Sequence, residues 1–235
     1  IVGLGLIGGS FAKAYADAGI EVFAADIDER AMNAAMAEET VAGPLDEATI
    51  PTCELLILAV YPQAIIEWVR SHEQFISPST LVIDCGSVKR SVCPVCFSIA
   101  ERRGFTFIGG HPMAGLQYSG YRHARADLYA GQPMVLVPPE IYDPDIILWA
   151  EEALSPAAFG SFSITTAAKH DQIIAYTSQL AHVVSSSKAP PRKSIVVFPR
   201  AAIRISLASP SSMPICGPSC SWITPTILPR KSALS

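Results

Sequence analysis

Residues 1–10 read IVGLGLIGGS. An apolar β-type run at 1–5 breaks into Gly3-Leu-Gly5-Leu-Ile-Gly8, and helical spacing then holds over about residues 7–18. Between a strand and a helix, each glycine has its own task. Gly3 makes the tight turn, Gly5 lets a pyrophosphate approach the backbone, and Gly8 lets helix and strand pack closely. The start of the helix, with Leu6 and Ile7 in its first turn, then offers free N–H groups and its positive dipole end to phosphate oxygens. A second strand at 21–26 ends on Asp26, the spacing expected of the acidic residue that accepts hydrogen bonds from adenosine ribose hydroxyls. A carboxylate there repels a 2′-phosphate, so NAD is expected over NADP, with Arg30 close enough to soften the preference. The competing reading of Asp26 is an ordinary helix N-cap. Val60, at the end of the strand 55–60, joins this cofactor-binding set.

The pattern continues outward from that unit. Further strands read at 55–60, 80–85, 105–109, 133–137 and 161–165, and helices at about 28–38, 62–72, 90–103, 144–154 and 167–187. Continuous apolar strands separated by helices imply an α/β fold, a doubly wound, mostly parallel Rossmann-like sheet covered on both faces. Ligands in such a sheet lie beyond the carboxyl ends of the strands. The stretches 81–89 and 105–115 both end there, which puts Ser87 and His111 beside the expected nicotinamide. Glycines on both sides of His111 and the rigid Pro112 argue against a loop histidine merely satisfied by backbone.

Half of the 235 residues are apolar and 16% are charged, ample for a large core. No apolar run reaches the roughly 18 residues needed to span a bilayer, and nothing points to nucleic acid. The chain lacks an initiator Met and opens directly on a strand, so a few N-terminal residues are expected to precede it. Six cysteines without a disulfide-framework spacing suit a reducing cytoplasm. Cys93/Cys96 and Cys216/Cys220 could be imagined as zinc ligands, but free thiols or chance account for them better, and no metal is expected.

Charge divides the chain. Residues 1–171 carry all 21 acidic residues and a net charge of −11, while 172–235 carry none and a net of +7. Residues 185–235 hold 8 of the 19 prolines and 12 serines, a density that forbids long helices. A disordered basic tail fits poorly, because IVV, AAIRI and WIT are too apolar for a solvated linker. The abrupt change reads instead as a shift of reading frame after about Val184. The expected organisation is a dinucleotide-binding domain at 1–165, a linking helix of a second, helical domain at 166–187, and an irregular tail at 188–235.

Four stretches together resemble the prephenate dehydrogenase family: GLGLIGGS (3–10), DCGSVK (84–89), GGHPMAG (109–115) and HDQIIAYTSQLAHVVS (170–185). The resemblance covers residues 1 to about 185, and GGHPMAG after GSVK is its most specific part. It implies an NAD-dependent oxidative decarboxylation of prephenate to 4-hydroxyphenylpyruvate in tyrosine biosynthesis, or the same step on arogenate. His111 matches the catalytic histidine, and Ser87 the polar residue that orients it and contacts substrate. Ser178 and His182 fall in the substrate pocket, and His170 and Asp171 at the start of the helix leading into the second domain. Lys89 is a candidate cation for the dianionic substrate, the competing reading being a solvated helix-start residue. The family's helical half also carries a carboxylate-binding arginine and a homodimer seam. Nothing in 186–235 matches it, so Arg200 and Arg204 receive no role, and a catalytically impaired nucleotide-binding remnant is the alternative. A β-hydroxyacid dehydrogenase shares the glycine fingerprint but not GGHPMAG with GSVK. Neutral imidazole near its ordinary pKa suits a base on the ring alcohol at neutral pH.

Overall fold

The computed structural model describes residues 1–176. A two-stranded sheet pairs β1 (Phe23–Ala24) with β2 (Gly43–Pro44), and a five-stranded sheet runs β3 (Leu55–Leu58), β4 (Leu81–Asp84), β5 (Thr106–Pro112), β6 (Pro133–Val137), β7 (Ser161–Ile164) in that order. Val2 joins the two, bridging in parallel to Ala25 on one side and Leu58 on the other. Chain order therefore reverses between Val2 and β3, which is the switch point where doubly wound sheets open a ligand crevice. The ladders of the large sheet are parallel except β5 with β6.

Both faces of the sheet are apolar, and alternate residues of each strand serve opposite faces. Ile57, Leu81, Ile83 and Ile108 pack beneath α1 (Leu6–Asp17), α2 (Glu29–Ala37) and α5 (Asp145–Ala153). Leu56, Leu58, Val82 and Phe107 pack beneath α3 (Pro62–His72) and α4 (Cys93–Arg103). The fold class is the expected one. Among the described residues, no helix is long and apolar enough to cross a membrane.

Several element boundaries differ from the expectation. The strand read at 1–5 contributes only the two bridges of Val2, because the turn starts at Gly3, whose φ of +89° leaves the extended region. The strand read at 21–26 is confined to Phe23–Ala24, and the short β2 carries no sequence signal of its own. Helix α4 starts at Cys93 rather than 90, because the preceding backbone forms a turn whose Lys89 and Arg90 N–H groups bind Asp171.

The largest difference is β5. Glycines and proline mark a strand end at Gly109, yet the strand runs on to Pro112, paired with β6 from Gly109↔Val137 to Pro112↔Met134. The ladder with β4 stops at Asp84↔Gly109, so the missing N–H of Pro112 breaks no bond on that side. The glycines answer to close packing. A Cβ on Gly109 would lie 2.5 Å from Cys93 Sγ, and one on Gly110 would lie 2.5 Å from the Asp84 carbonyl oxygen.

The last described helix, α6 (Ala167–Ile174), is capped by Thr166, whose hydroxyl accepts the Lys169 N–H at 3.3 Å. Its His170 and Ile174 are buried. The remainder of the helix read at 167–187, and the tail at 188–235, lie outside the described residues.

Candidate active site

The glycine turn occupies the switch point. A Cβ on Gly3 would lie 2.6 Å from Val60 Cγ1, and one on Gly8 would lie 1.8 Å from the Gly3 carbonyl oxygen, so Val60 and helix α1 close on the turn. Gly5 differs: a Cβ there meets nothing within 4 Å. Gly5 is also the N-cap of α1, no side chain caps that helix, and its first turn holds no acidic residue. The first-turn N–H groups, with Leu6 and Ile7 partly buried behind them, thus face an open site fit for phosphate oxygens. Gly8→Ala is expected to cost about 1–3 kcal/mol through overpacking. Gly5→Ala should leave the melting temperature within about 2 °C, yet weaken nucleotide binding at least about tenfold by blocking the approach. Thermal melts and calorimetry on the two variants check the contrast.

Asp26 ties this turn to the second strand. Its Oδ2 accepts the Leu4 N–H at 2.5 Å and its Oδ1 the Asp28 N–H at 2.7 Å. The N-cap of α2 is Asp28, which accepts the Arg30 N–H at 2.9 Å, so Asp26 is not the cap. The carboxylate is only partly buried, and Arg30 is exposed nearby in sequence.

From the turn, the carboxyl edge of the sheet runs across Val60, Gly86 and His111. The end of β5 lies three strand spacings from the turn, about 14 Å. His111 is on β5 opposite Val135, on the face shared by Gly109, Asp84 and α4. Its Nδ1 lies 2.8 Å from His170 Nε2, and the two rings are tilted by 53°, not stacked. His170 Nδ1 lies 2.7 Å from Asp171 Oδ1. Asp171 also accepts the Lys89 N–H at 2.7 Å and the Arg90 N–H at 3.0 Å.

Burial, the neighbouring His170 and the Lys89 charge push the His111 imidazole down to about 3. The ring is therefore neutral at neutral pH by a wide margin, in contrast to the ordinary pKa expected from the sequence. Burial also lowers His170, against the opposing pull of Asp171. Partial burial would raise Asp171, but the His170 ring and the two backbone N–H groups outweigh it and hold the carboxyl low.

Two expected roles move. Ser87 is exposed and makes no hydrogen bond among the described residues; the group that meets His111 is His170. Lys89 is neither a solvated helix-start residue nor a cation facing the crevice. Its side chain is fully buried and ion-paired with the equally buried Asp84, whose Oδ1 also accepts the Gly86 N–H at 2.8 Å. Ser178 and His182 lie outside the described residues. Cys93 and Cys96 are buried free thiols, and the described residues hold no cluster of three or more potential metal ligands. His170 and Asp171 match the start of the family's long helix by resemblance, but nothing in the spacing ties them to His111, 59 residues before His170.

A glycine turn at the switch point, an open helix N-terminus and an acidic second-strand end define a doubly wound nucleotide-binding domain. The family model described as "Prephenate dehydrogenase, nucleotide-binding domain" matches residues 11–157, and the chain belongs to that family. The prephenate dehydrogenase of Bacillus subtilis is 26% identical over 80% of this chain and 51% of its own length. The crystal structure of Synechocystis arogenate dehydrogenase superposes with a TM-score of 0.70 at 26% identity, covering 89% of this chain and 74% of that one. The structure of prephenate dehydrogenase from A. aeolicus in complex with hydroxyphenyl propionate and NAD+ shares the fold, with a TM-score of 0.67 at 22% identity over 89% of this chain and 77% of that one. The chain spans about half the length of the curated relatives it matches.

Proposed function

We propose that this domain binds NAD and serves the oxidative decarboxylation of prephenate, with His111 as the general base. The observation that carries the reading is a neutral, partly buried imidazole at the carboxyl end of β5, on the same sheet edge as the open glycine turn. When bound, NAD+ supplies the hydride acceptor. The residues of the chain divide the remaining work. The first turn of α1 holds the pyrophosphate, Asp26 the ribose, and Val60 the wall beside the turn. His111 takes the proton of the ring hydroxyl as hydride departs from the same carbon, and the ring carboxylate leaves as CO2, which makes the product aromatic. Ser87, exposed beside that edge, is assigned a substrate contact, and Ser178 and His182 are assigned the rest of the pocket.

The A. aeolicus complex supports NAD, and membership of the family supports the reaction class. Arogenate is the alternative substrate, favoured by the likeness to the Synechocystis enzyme. The two substrates differ in a side-chain amino against a keto group, which no described residue is placed to distinguish. In this reading residues 1–165 form the nucleotide-binding domain and α6 leads into a helical second domain, with a cytoplasmic homodimer as the assembly. Turnover of prephenate and of arogenate, each with NAD+ and NADP+, tests the reading. No turnover of either substrate would overturn it.

Calorimetry is expected to show NAD+ bound more tightly than NADP+, because Asp26 repels the added phosphate. Asp26→Asn keeps an oxygen for the Leu4 N–H and should narrow the gap. Equal affinities in the unaltered protein would remove Asp26 from cofactor selection.

A further inference from the structure

We propose that His170 and Asp171 are positioning residues that fix which nitrogen of His111 carries the proton, which makes the start of α6 part of the catalytic apparatus. The proposal rests on the reading of His111 as the base.

The bonds leave one consistent pattern. A carboxylate can only accept hydrogen bonds. Asp171 is ionised, because its two backbone donors and the His170 ring hold its carboxyl below the usual range despite partial burial. The His170 nitrogen 2.7 Å from it, Nδ1, must therefore carry the proton. A neutral imidazole has one N–H, so His170 Nε2 is a bare acceptor. The His111 Nδ1 2.8 Å from that acceptor must then be the donor. His111 Nε2 is left with its lone pair, the form a base needs.

Without such a partner the opposite tautomer would dominate, since neutral imidazole in water places its proton mainly on the ε nitrogen. The arrangement follows the general rule that the group bound to one ring nitrogen decides the state of the other. The remaining buried charge in the neighbourhood does not compete: the Lys89 ammonium is held on Asp84, not on either ring. Asp171 is itself fixed by the Lys89 and Arg90 N–H groups, so the loop after β4 sets the far end of the chain of bonds. A purely structural role, tying α6 to the sheet, would use the same contacts but would not depend on proton placement.

Proton placement can be read without turnover. Long-range proton–nitrogen correlation spectra of the full chain, labelled with 15N-histidine and assigned by substituting its five histidines in turn, distinguish protonated from bare ring nitrogens. His111 and His170 are expected as neutral rings with the proton on Nδ1. His170→Leu removes the acceptor, and His111 should revert to Nε2–H. His170→Gln offers Oε1 in place of the ring nitrogen, and His111 should keep its proton on Nδ1.

In turnover, His170→Leu should lower kcat by about 10²-fold or more, the scale of losing a general base. KM should stay within about twofold, and His170→Gln should recover most of the loss. A wild-type His111 protonated on Nε2 would overturn the proposal. So would a folded His170→Leu protein with an unchanged His111 tautomer, or equal kcat in the Leu and Gln variants. If the tautomers behave as stated while the unaltered chain turns over neither prephenate nor arogenate, the dehydrogenase reading fails and the positioning assignment survives in structural form alone. Should His170→Leu unfold α6, dispersed spectra of His170→Gln keep the tautomer test in force.

Discussion

His111→Asn is expected to lower kcat on prephenate by about 10²–10⁴-fold, the usual cost of removing a general base. NAD+ affinity should stay within about twofold, because the glycine turn, Asp26 and Val60, which are proposed to hold the cofactor, lie apart from β5. Steady-state kinetics and calorimetry on the same preparation separate the two effects. The pH dependence adds a second reading. Burial lowers the His111 pKa to about 3, so the free enzyme holds the neutral base form at every pH well above that value. The acidic limb of kcat/KM should therefore not begin near pH 6.5, where an exposed histidine titrates. Stability carries the same sign. The unfolded ring takes up its proton near pH 6.5 and the folded ring only near 3, so stability is full above about pH 6.5 and declines as pH falls toward 3. His111→Asn should flatten part of that decline in melts recorded from pH 7 to pH 4. An acidic limb near pH 6.5, unchanged in the variant, would assign the base elsewhere.

Much of this was legible in the sequence because the signals were local. The glycine fingerprint stands between a strand and a helix, and its three positions show a positive φ at Gly3, open space at Gly5 and close packing at Gly8. Continuous apolar runs such as LLIL and LVI predicted a sheet covered on both faces. The misses came from tertiary pairing. GGHP reads as a strand end by propensity, but β6 pairs along it and the glycines admit Cys93 and the neighbouring backbone. The link from His111 to His170 spans residues whose spacing carries no period, so only the folded chain brings them together. Lys89 is the instructive case. A lone Asp84 closing an apolar strand, with a lysine five residues on, was a local cue that the carboxylate would be buried and would need a cation. Neither a substrate cation nor a solvated helix-start residue accounts for Lys89, because its charge is taken up by the carboxylate beside it.

Lys89→Met should therefore be among the most destabilising single changes in the domain. Both partners of the Asp84–Lys89 pair are fully buried, and removing one leaves an uncompensated carboxyl in the core. Breaking such a pair costs about 3–5 kcal/mol, which in a chain of this size lowers the melting temperature by about 6–20 °C. Burial alone pushes the Asp84 carboxyl up, and in the native protein the Lys89 ammonium and the Gly86 N–H oppose it. Removing the lysine raises the folded pKa further above the unfolded value. A carboxyl raised in this way loses stability as pH rises from about 4, because the folded state must hold a proton that the unfolded state releases. The deficit of Lys89→Met should thus be smaller at pH 4 than at pH 7. Adding Asp84→Asn removes the orphaned charge while keeping an oxygen for the Gly86 N–H at the same position. The double variant is expected to recover most of the lost stability, since a buried pair replaced as a unit is often close to neutral. Melts of the single and double variants at both pH values read the coupling directly. Strictly additive losses, with no dependence on pH, would mean that Lys89 supports the fold through packing of its stem against Gly109 and not through its charge.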